Sequence, residues 1–248
     1  VKNIPLDIDE QQIDLQIDKP QTYYGENIPG YAITNTGRAE VDFTGTVEGE
    51  GQTQYTGTGG VKLDSFARRA AFALRFADWN LVVSNFLTSD SRMVFERDIR
   101  VRVEKVAPFL QWDSDPYPVV LDGRIVYLFD GYTTTDHYPN AQRADATGLP
   151  AGSGLEGDRF NYIRNSVKAV LDTYDGTVKL YVVDPDDPIV EAYQGAFPEL
   201  FLDVDEMPDE LRAHWRYPED MFRVQTNMYG RYHIDDPSTF YEKTSAWS

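Results

Sequence analysis

Apolar and polar positions change period several times along the chain, and each change predicts an element. Residues 1–20 alternate, with Ile13, Leu15 and Ile17 on one side and Asp14, Gln16 and Asp18 on the other, the period of a half-buried edge strand. Residues 21–60 hold nine glycines with repeated Thr, which predicts irregular connections around one short strand at Val41 and Phe43. From Asp64, read as an N-cap, SFARRAAFALRFADWNLVVSNF carries two apolar stripes, one through Phe66, Ala70, Ala73, Ala77 and Leu81, the other through Phe72, Phe76, Trp79 and Val83. The spacing predicts a continuous helix buried on more than one side. A second helix is predicted over residues 91–106, with Phe95, Ile99, Val103 and Val106 inward and Pro108 ending it.

Two Asp-Gly pairs then mark hairpins, because both residues of this dipeptide tolerate the positive φ of a two-residue type I′ turn. Counting outward from Asp122-Gly123 pairs Val120 with Ile125 and Val119 with Val126. Counting from Asp175-Gly176, within residues 161–188, sets Leu171 opposite Leu180, Ala169 opposite Val182 and Thr173 opposite Val178 on an apolar face. Asp172 then meets Lys179, and Val170 meets Tyr181, on the other face. Residues 140–159 are poor in large apolar side chains and predict a long flexible loop. Beyond residue 188, Pro208, Pro218 and Asp236-Pro237 start short helices, the second with a stripe of Met221, Val224, Gln225, Met228 and Tyr232. The expected class is α+β: antiparallel β-hairpins packed by helices, with a helical, proline-punctuated C-terminal segment. A single domain over 1–248 is expected, subdividing if at all into 1–139 and 160–248 about the 140–159 loop.

Composition narrows this picture. With 248 residues and 41% hydrophobic content the chain can bury a sizeable core. No run reaches the roughly 18–20 apolar residues that cross a bilayer, and the first residues lack a signal-peptide pattern. The start at Val1 suggests an excised or processed portion of something longer. There is no cysteine, so disulfides and thiolate metal sites are excluded. The net charge of −18 argues against general nucleic-acid binding, since phosphates would be repelled. That charge is uneven: from Lys62 to Lys105 nine basic residues face six acidic ones, a local +3 against −21 elsewhere.

Five constellations could carry chemistry. Asp130, Thr133, Asp136 and His137 end a predicted strand, where a carboxylate and an imidazole could act as acid and base. Arg92, Arg97, Arg100 and Arg102 could present an anion-binding patch to lipid headgroups, or could clamp carboxylates internally. Asp184, Asp186 and Asp187, with Asp113 and Asp115, are hard oxygen donors of the kind calcium takes, but no EF-hand pattern surrounds them. Prolines 185 and 188 suit turns instead. Arg164 enters the central hairpin where Asp184 and Asp186 leave it, so Arg164, Asp184 and Asp186 form a candidate hairpin-end site. Tyr127, Tyr132 and Tyr138 could stack on sugars, though tyrosine is also at home in strands. Gly152, Gly154 and Gly157 have G-x-G-x-x-G spacing without the strand and helix that a nucleotide site needs. No cofactor is expected beyond a divalent cation such as calcium. No G-x-S-x-G, Walker or H-E-x-x-H motif occurs.

The strings NYIRNSVKAVLDTYDG, HWRYPEDMF, YHIDDPSTFY, VEKVAPFLQWDSDPYPV and FDGYTTTDHYP, spread from about Tyr23 to Trp247, resemble uncharacterised protein family 0182. These are large bacterial membrane proteins with N-terminal transmembrane helices and a long extracytoplasmic portion. The resemblance implies membrane anchoring through sequence not included here and a location outside the cytoplasm, and it supplies no catalytic residues. The resulting expectation is a non-catalytic domain binding a ligand or partner, such as an envelope lipid, a glycan or its own transmembrane region. The alternative is an envelope hydrolase or metal-assisted enzyme using the Asp130/Asp136/His137 loop.

Overall fold

The structure, a computed structural model, describes residues 17–38, 40–42, 51–230 and 234–242. Ile13, Leu15 and Phe43 of the first predicted strands, and Tyr232 of the last predicted stripe, lie outside these residues. Contacts divide the chain into two compact units: Val1–Arg102 with Val120–Val126 and Asp172–Thr177, and Val103–Val119 with Tyr127–Leu171 and Val178–Ser248.

The first unit opens with β1 (Tyr31–Thr34), β2 (Glu40–Asp42), β3 (Gly51–Thr53) and β4 (Val61–Lys62). Helices α1 (Phe66–Phe76) and α2 (Asn80–Val83) follow, then β5 (Arg92–Phe95) and the start of α3 (Ile99–Val106). The sheet order is β1-β5-β4, antiparallel throughout, and β2 pairs with β3 in a separate two-stranded sheet. Leu63, Ala73, Leu81 and Met93 form the core, with Phe72, Phe76 and Phe95 packed against it.

Two predicted helices are interrupted here. Ser65, not Asp64, caps α1, and Asp64 pairs instead with Arg68 at 2.8 Å. The helix stops at Ala77, whose φ of 52° is left-handed, and the Asp78 carboxylate then receives the Asn80 N–H at 3.0 Å and the Tyr31 hydroxyl. Residues 92–95 are a strand because β5 is the middle of its sheet, with backbone partners on both edges. Glu96, at φ 50°, turns the chain, and the Asp98 carboxylate caps α3 through the Arg100 and Val101 N–H groups at 3.0 and 3.1 Å.

The second unit contains most of a mixed six-stranded sheet. Its strands are β6 (Gln111–Trp112), β7 (Tyr117–Leu121), β8 (Arg124–Thr135), β9 (Tyr162–Asp172), β10 (Val178–Val182) and, after α4 (Pro188–Ala196), β11 (Phe201–Asp203). The order is β11-β10-β9-β8-β6, with β7 also paired to β8. β11 runs parallel to β10, as the intervening α4 allows. A 3₁₀ turn (Val204–Glu206) leads to α5 (Asp209–Ala213), α6 (Glu219–Tyr229) and α7 (Pro237–Glu242). The α+β class is as expected. No helix of the described residues is long and apolar enough to cross a membrane.

The two Asp-Gly turns part company. Asp122 and Gly123 both take positive φ, 48° and 69°, and nothing else separates β7 from β8, as a type I′ hairpin requires. At the other pair only Gly176 is left-handed, and β9 meets β10 with Val178 opposite Leu171, Leu180 opposite Ala169 and Val182 opposite Val167. The register has moved by two residues from a two-residue loop, so Val170 meets Lys179 and Tyr181 meets Lys168. An even shift keeps every side chain on its original face, so the apolar face survives. The cause is the Asp172 side chain, which accepts the Tyr174 and Asp175 N–H groups at 2.7 and 3.1 Å, while its carbonyl takes the Gly176 N–H at 2.7 Å.

Residues 140–159 carry no strand or helix, yet they are packed. Leu155 is fully buried beside Tyr132, Phe160, Met221 and Val224, and Ala144, Ala146 and Leu149 close over the same cluster. The flexible-loop expectation is therefore corrected: a few small apolar anchors and side-chain bonds hold the segment where its average composition predicted none.

Candidate functional site

Strands β8 and β9 bring charged groups into the second unit's interior, where each must find a partner. Lys168 Nζ binds Asp130 Oδ1 with both side chains buried, and the Trp215 ring lies 5.3 Å from the ammonium. Burial pushes the Asp130 carboxyl above the ordinary carboxylate range, against the pull of the Lys168 ammonium. Beside it Asp113 accepts the Tyr132 hydroxyl and the Asp220 N–H, the latter at 3.0 Å. Asp220 accepts the Ser114 N–H at 2.8 Å and its hydroxyl at 2.7 Å. Burial raises the Asp220 carboxyl as well, and drives the Tyr132 phenol far above its usual value with Asp113 adding to the effect. These bonds staple the end of β6 to the first turn of α6, which fixes where α6 lies.

A second buried carboxylate anchors α4. Asp187 caps that helix through the Ile189 N–H at 3.1 Å and also accepts the hydroxyls of Ser166 at 2.5 Å, Tyr162 at 2.7 Å and Thr133. Burial would raise its pKa, but four donors outweigh burial and hold it below the ordinary value. The same contact, behind the effect of burial, pushes the Tyr162 phenol up to about 12.

The residues singled out from sequence are thus placed apart. Asp130 and Thr133 point inward to Lys168 and Asp187, whereas Asp136 and His137 pair with each other at 2.5 Å, His137 being open to solvent. They do not converge on one reacting position. In the first unit, Arg92 donates to the carbonyls of Thr58, Gly59 and Gly60, Arg97 to Tyr23 at 2.8 Å, and Arg102 to Gly176 at 2.5 Å and Phe95 at 3.3 Å. These guanidiniums serve backbone carbonyls rather than an outer row of anion sites or the internal carboxylates. Arg100 lies on α3 between them. Arg164 does meet Asp184, at 3.1 Å, while Asp186 is exposed and its neighbour Asp187 is the buried member. Among the described residues no group of three or more acidic or imidazole side chains is arranged to hold a metal ion.

What the structure adds is an open groove of about 870 Å³ along α6. Its apolar walls include Phe160, Ile163, Val224 and Met228, with the exposed ring of Phe222 at its edge. Among the described residues, not one that lines it is charged, in a chain where 26% are. Two of its four amides brace the walls: Asn161 Nδ2 donates to the Tyr138 carbonyl at 2.8 Å, and Asn227 Nδ2 to those of Asp145 and Thr147 at 3.1 and 2.9 Å. Such a volume lies within the ~300–1,000 Å³ of small-molecule sites. The α6 stripe is visible in sequence; the rest of the lining is not, because it joins Gln142 and Ala144, from the segment predicted to be a flexible loop, to Phe160, Asn161 and Ile163 at the start of β9.

The family model for the uncharacterised protein family UPF0182 matches residues 1–248. A UPF0182 protein of Corynebacterium glutamicum (strain R) is 44% identical over 97% of this chain, and one of Rhodococcus erythropolis is 42% identical over 94%. A third, the UPF0182 protein Francci3_3781 of Frankia casuarinae, is 43% identical over 93%. The chain spans about a quarter of these relatives, 26%, 25% and 24% of their lengths. No solved structure gives a significant match.

Proposed function

Since the chain belongs to the uncharacterised protein family UPF0182, we propose from its own geometry that it is a non-catalytic binding domain that takes an uncharged, largely apolar ligand into the groove along α6. The observation that carries this is the groove's lining: apolar walls with no charged residue among the described residues, in a protein of net charge −18. An acyl chain or similar apolar body gains by leaving water there at about 25 cal/mol per Å² of apolar surface. A glycan would find few free polar partners, because two of the groove's amides are already bonded to its own walls. On this reading the whole protein is held to a membrane by sequence outside this portion, which stands on the extracytoplasmic side and meets an envelope lipid. The family resemblance supports that setting, and the relatives' greater length leaves room for an anchor.

The test is titration of the 248-residue chain with N-phenylnaphthylamine, whose emission rises in apolar sites, followed by displacement with a long-chain fatty alcohol. Phe222→Glu, at an exposed position, should weaken dye binding about tenfold without changing the melting temperature. Absence of binding by the native chain, or equal binding by the folded variant, would remove the proposal.

A further inference from the structure

A different surface, on the first unit, is shaped for a membrane. Helix α1 is apolar on two sides. One side, with Phe72, Ala73 and Phe76, packs into the core beside Leu81. The other presents Phe66 and Leu74, which are 73% and 77% exposed, with Ala67, Ala70 and Ala71 falling on the same arc at 100° per residue. The following helix α2 buries Leu81 and leaves Val83, one turn on from exposed Trp79, at 70% exposed. Large apolar side chains do not stand this far into water in such density without a partner.

Charge says which partner. Residues 65–77 contain Arg68, Arg69 and Arg75 and no acidic residue, although the chain has 41 acids. Arg68 and Arg75 fall together on the arc bordering the exposed face, about 100° past Leu74. Their ion pairs, with Asp64 at 2.8 Å and Glu96 at 2.6 Å, are made at the solvent-exposed surface, where such pairs exchange readily for other anions. Asp78, the next acid along, is occupied by the Tyr31 hydroxyl and the Asn80 N–H. A helix with exposed Phe and Leu on one face, arginines along its border and an exposed Trp just beyond its end is the pattern that settles at the headgroup boundary of a bilayer.

We infer that the α1–α2 hairpin docks on an anionic phospholipid surface, with Phe66, Leu74, Trp79 and Val83 entering the headgroup–acyl boundary and Arg68 and Arg75 meeting lipid phosphates. Arg92, Arg97 and Arg102 serve backbone carbonyls, so the lipid-facing arginines are those on the exposed hairpin.

Co-sedimentation of the whole 248-residue chain with phosphatidylcholine vesicles, with and without phosphatidylglycerol, tests it. The expected result is binding to the phosphatidylglycerol vesicles, weakened by ~0.5 M salt, and a loss of about tenfold or more in the Leu74→Glu/Trp79→Glu variant at unchanged melting temperature. Phe222→Glu, in the α6 groove, should leave vesicle binding intact. The inference is overturned if neither vesicle pellets the chain, if the double variant still binds, if Phe222→Glu abolishes binding, or if the double substitution instead abolishes self-association of a chain that ignores vesicles.

Discussion

At the scale of single residues, the second unit keeps its carboxylates buried by surrounding each with donors or with a cation. Asp187 is the clearest case because no formal positive charge touches it: three hydroxyls and one backbone N–H do the work. Its pKa is lower in the folded chain than the unfolded value of about 4. It therefore contributes stability that is present above that value and lost as pH falls through the lower, folded pKa. Asp187→Asn should cost about 2 kcal/mol at pH 7, from donors left without a full acceptor. The difference from the native chain should close as pH drops below the carboxylate range. Urea melts at a series of pH values measure this; a deficit that stayed constant into acid would show that the charge on Asp187 is not what matters. The sequence singles out Asp184 and Asp186 on the same turn and offers Asp187 only as one of a trio. Nothing in the local string distinguishes the buried aspartate from its exposed neighbours, since the distinction is made by Ser166 and Thr133 on other strands. Lys168 was overlooked for the same reason. Its role exists only because Asp130 and Trp215 close around it.

At the scale of elements, the tip of the β9–β10 hairpin shows how a side chain can overrule a dipeptide. Asp-Gly alone favours a two-residue turn, but Asp175 is drawn away by the Tyr55 hydroxyl at 2.7 Å, the Thr58 N–H at 3.0 Å and Arg124 at 2.8 Å. Burial acts to raise the Asp175 pKa, yet these partners bring it below the ordinary value. Gly176 is then left-handed at φ 67°, and an added Cβ would come within 2.2 Å of the Tyr24 ring. Gly148 is a useful control, with φ 73° and no atom near where its Cβ would be. Gly148→Ala should cost about 1 kcal/mol from backbone strain alone, and Gly176→Ala clearly more. Similar losses for the two in denaturant melts would mean that the Tyr24 contact is unimportant. The helices teach the complementary lesson. Each of the two stripes read from residues 65–86 is split between core and solvent, Ala73 and Leu81 being buried while Phe66, Trp79 and Val83 are exposed, because the periodicity of apolar residues does not register a left-handed cap at Ala77, and β5 answers to its strand partners rather than to its own spacing.

At the scale of the whole molecule, 41 acidic against 23 basic residues set a field that opposes compaction. Screening should relieve it, so the melting temperature is expected to rise between ~0.02 and ~0.5 M sodium chloride. A fall over that range would mean that favourable surface pairs, such as Arg223 with Glu219 at 2.6 Å, outweigh the net repulsion. The sequence by itself determined the α+β class, the apolar face of the central hairpin, the type I′ turn at Asp122-Gly123 and the apolar stripe of α6. Each depends on residues close in the chain, where period and turn chemistry act directly. The family, too, was legible in five separated strings. Only the tertiary structure decided that residues 140–159 are a packed wall, that Lys168 and Asp187 are buried, that the arginines of the basic block mostly serve carbonyls, and that one face of α1 is left in water. Those outcomes depend on which distant groups arrive at a donor, a charge or an apolar face, and burial is a property of that arrival rather than of the residue.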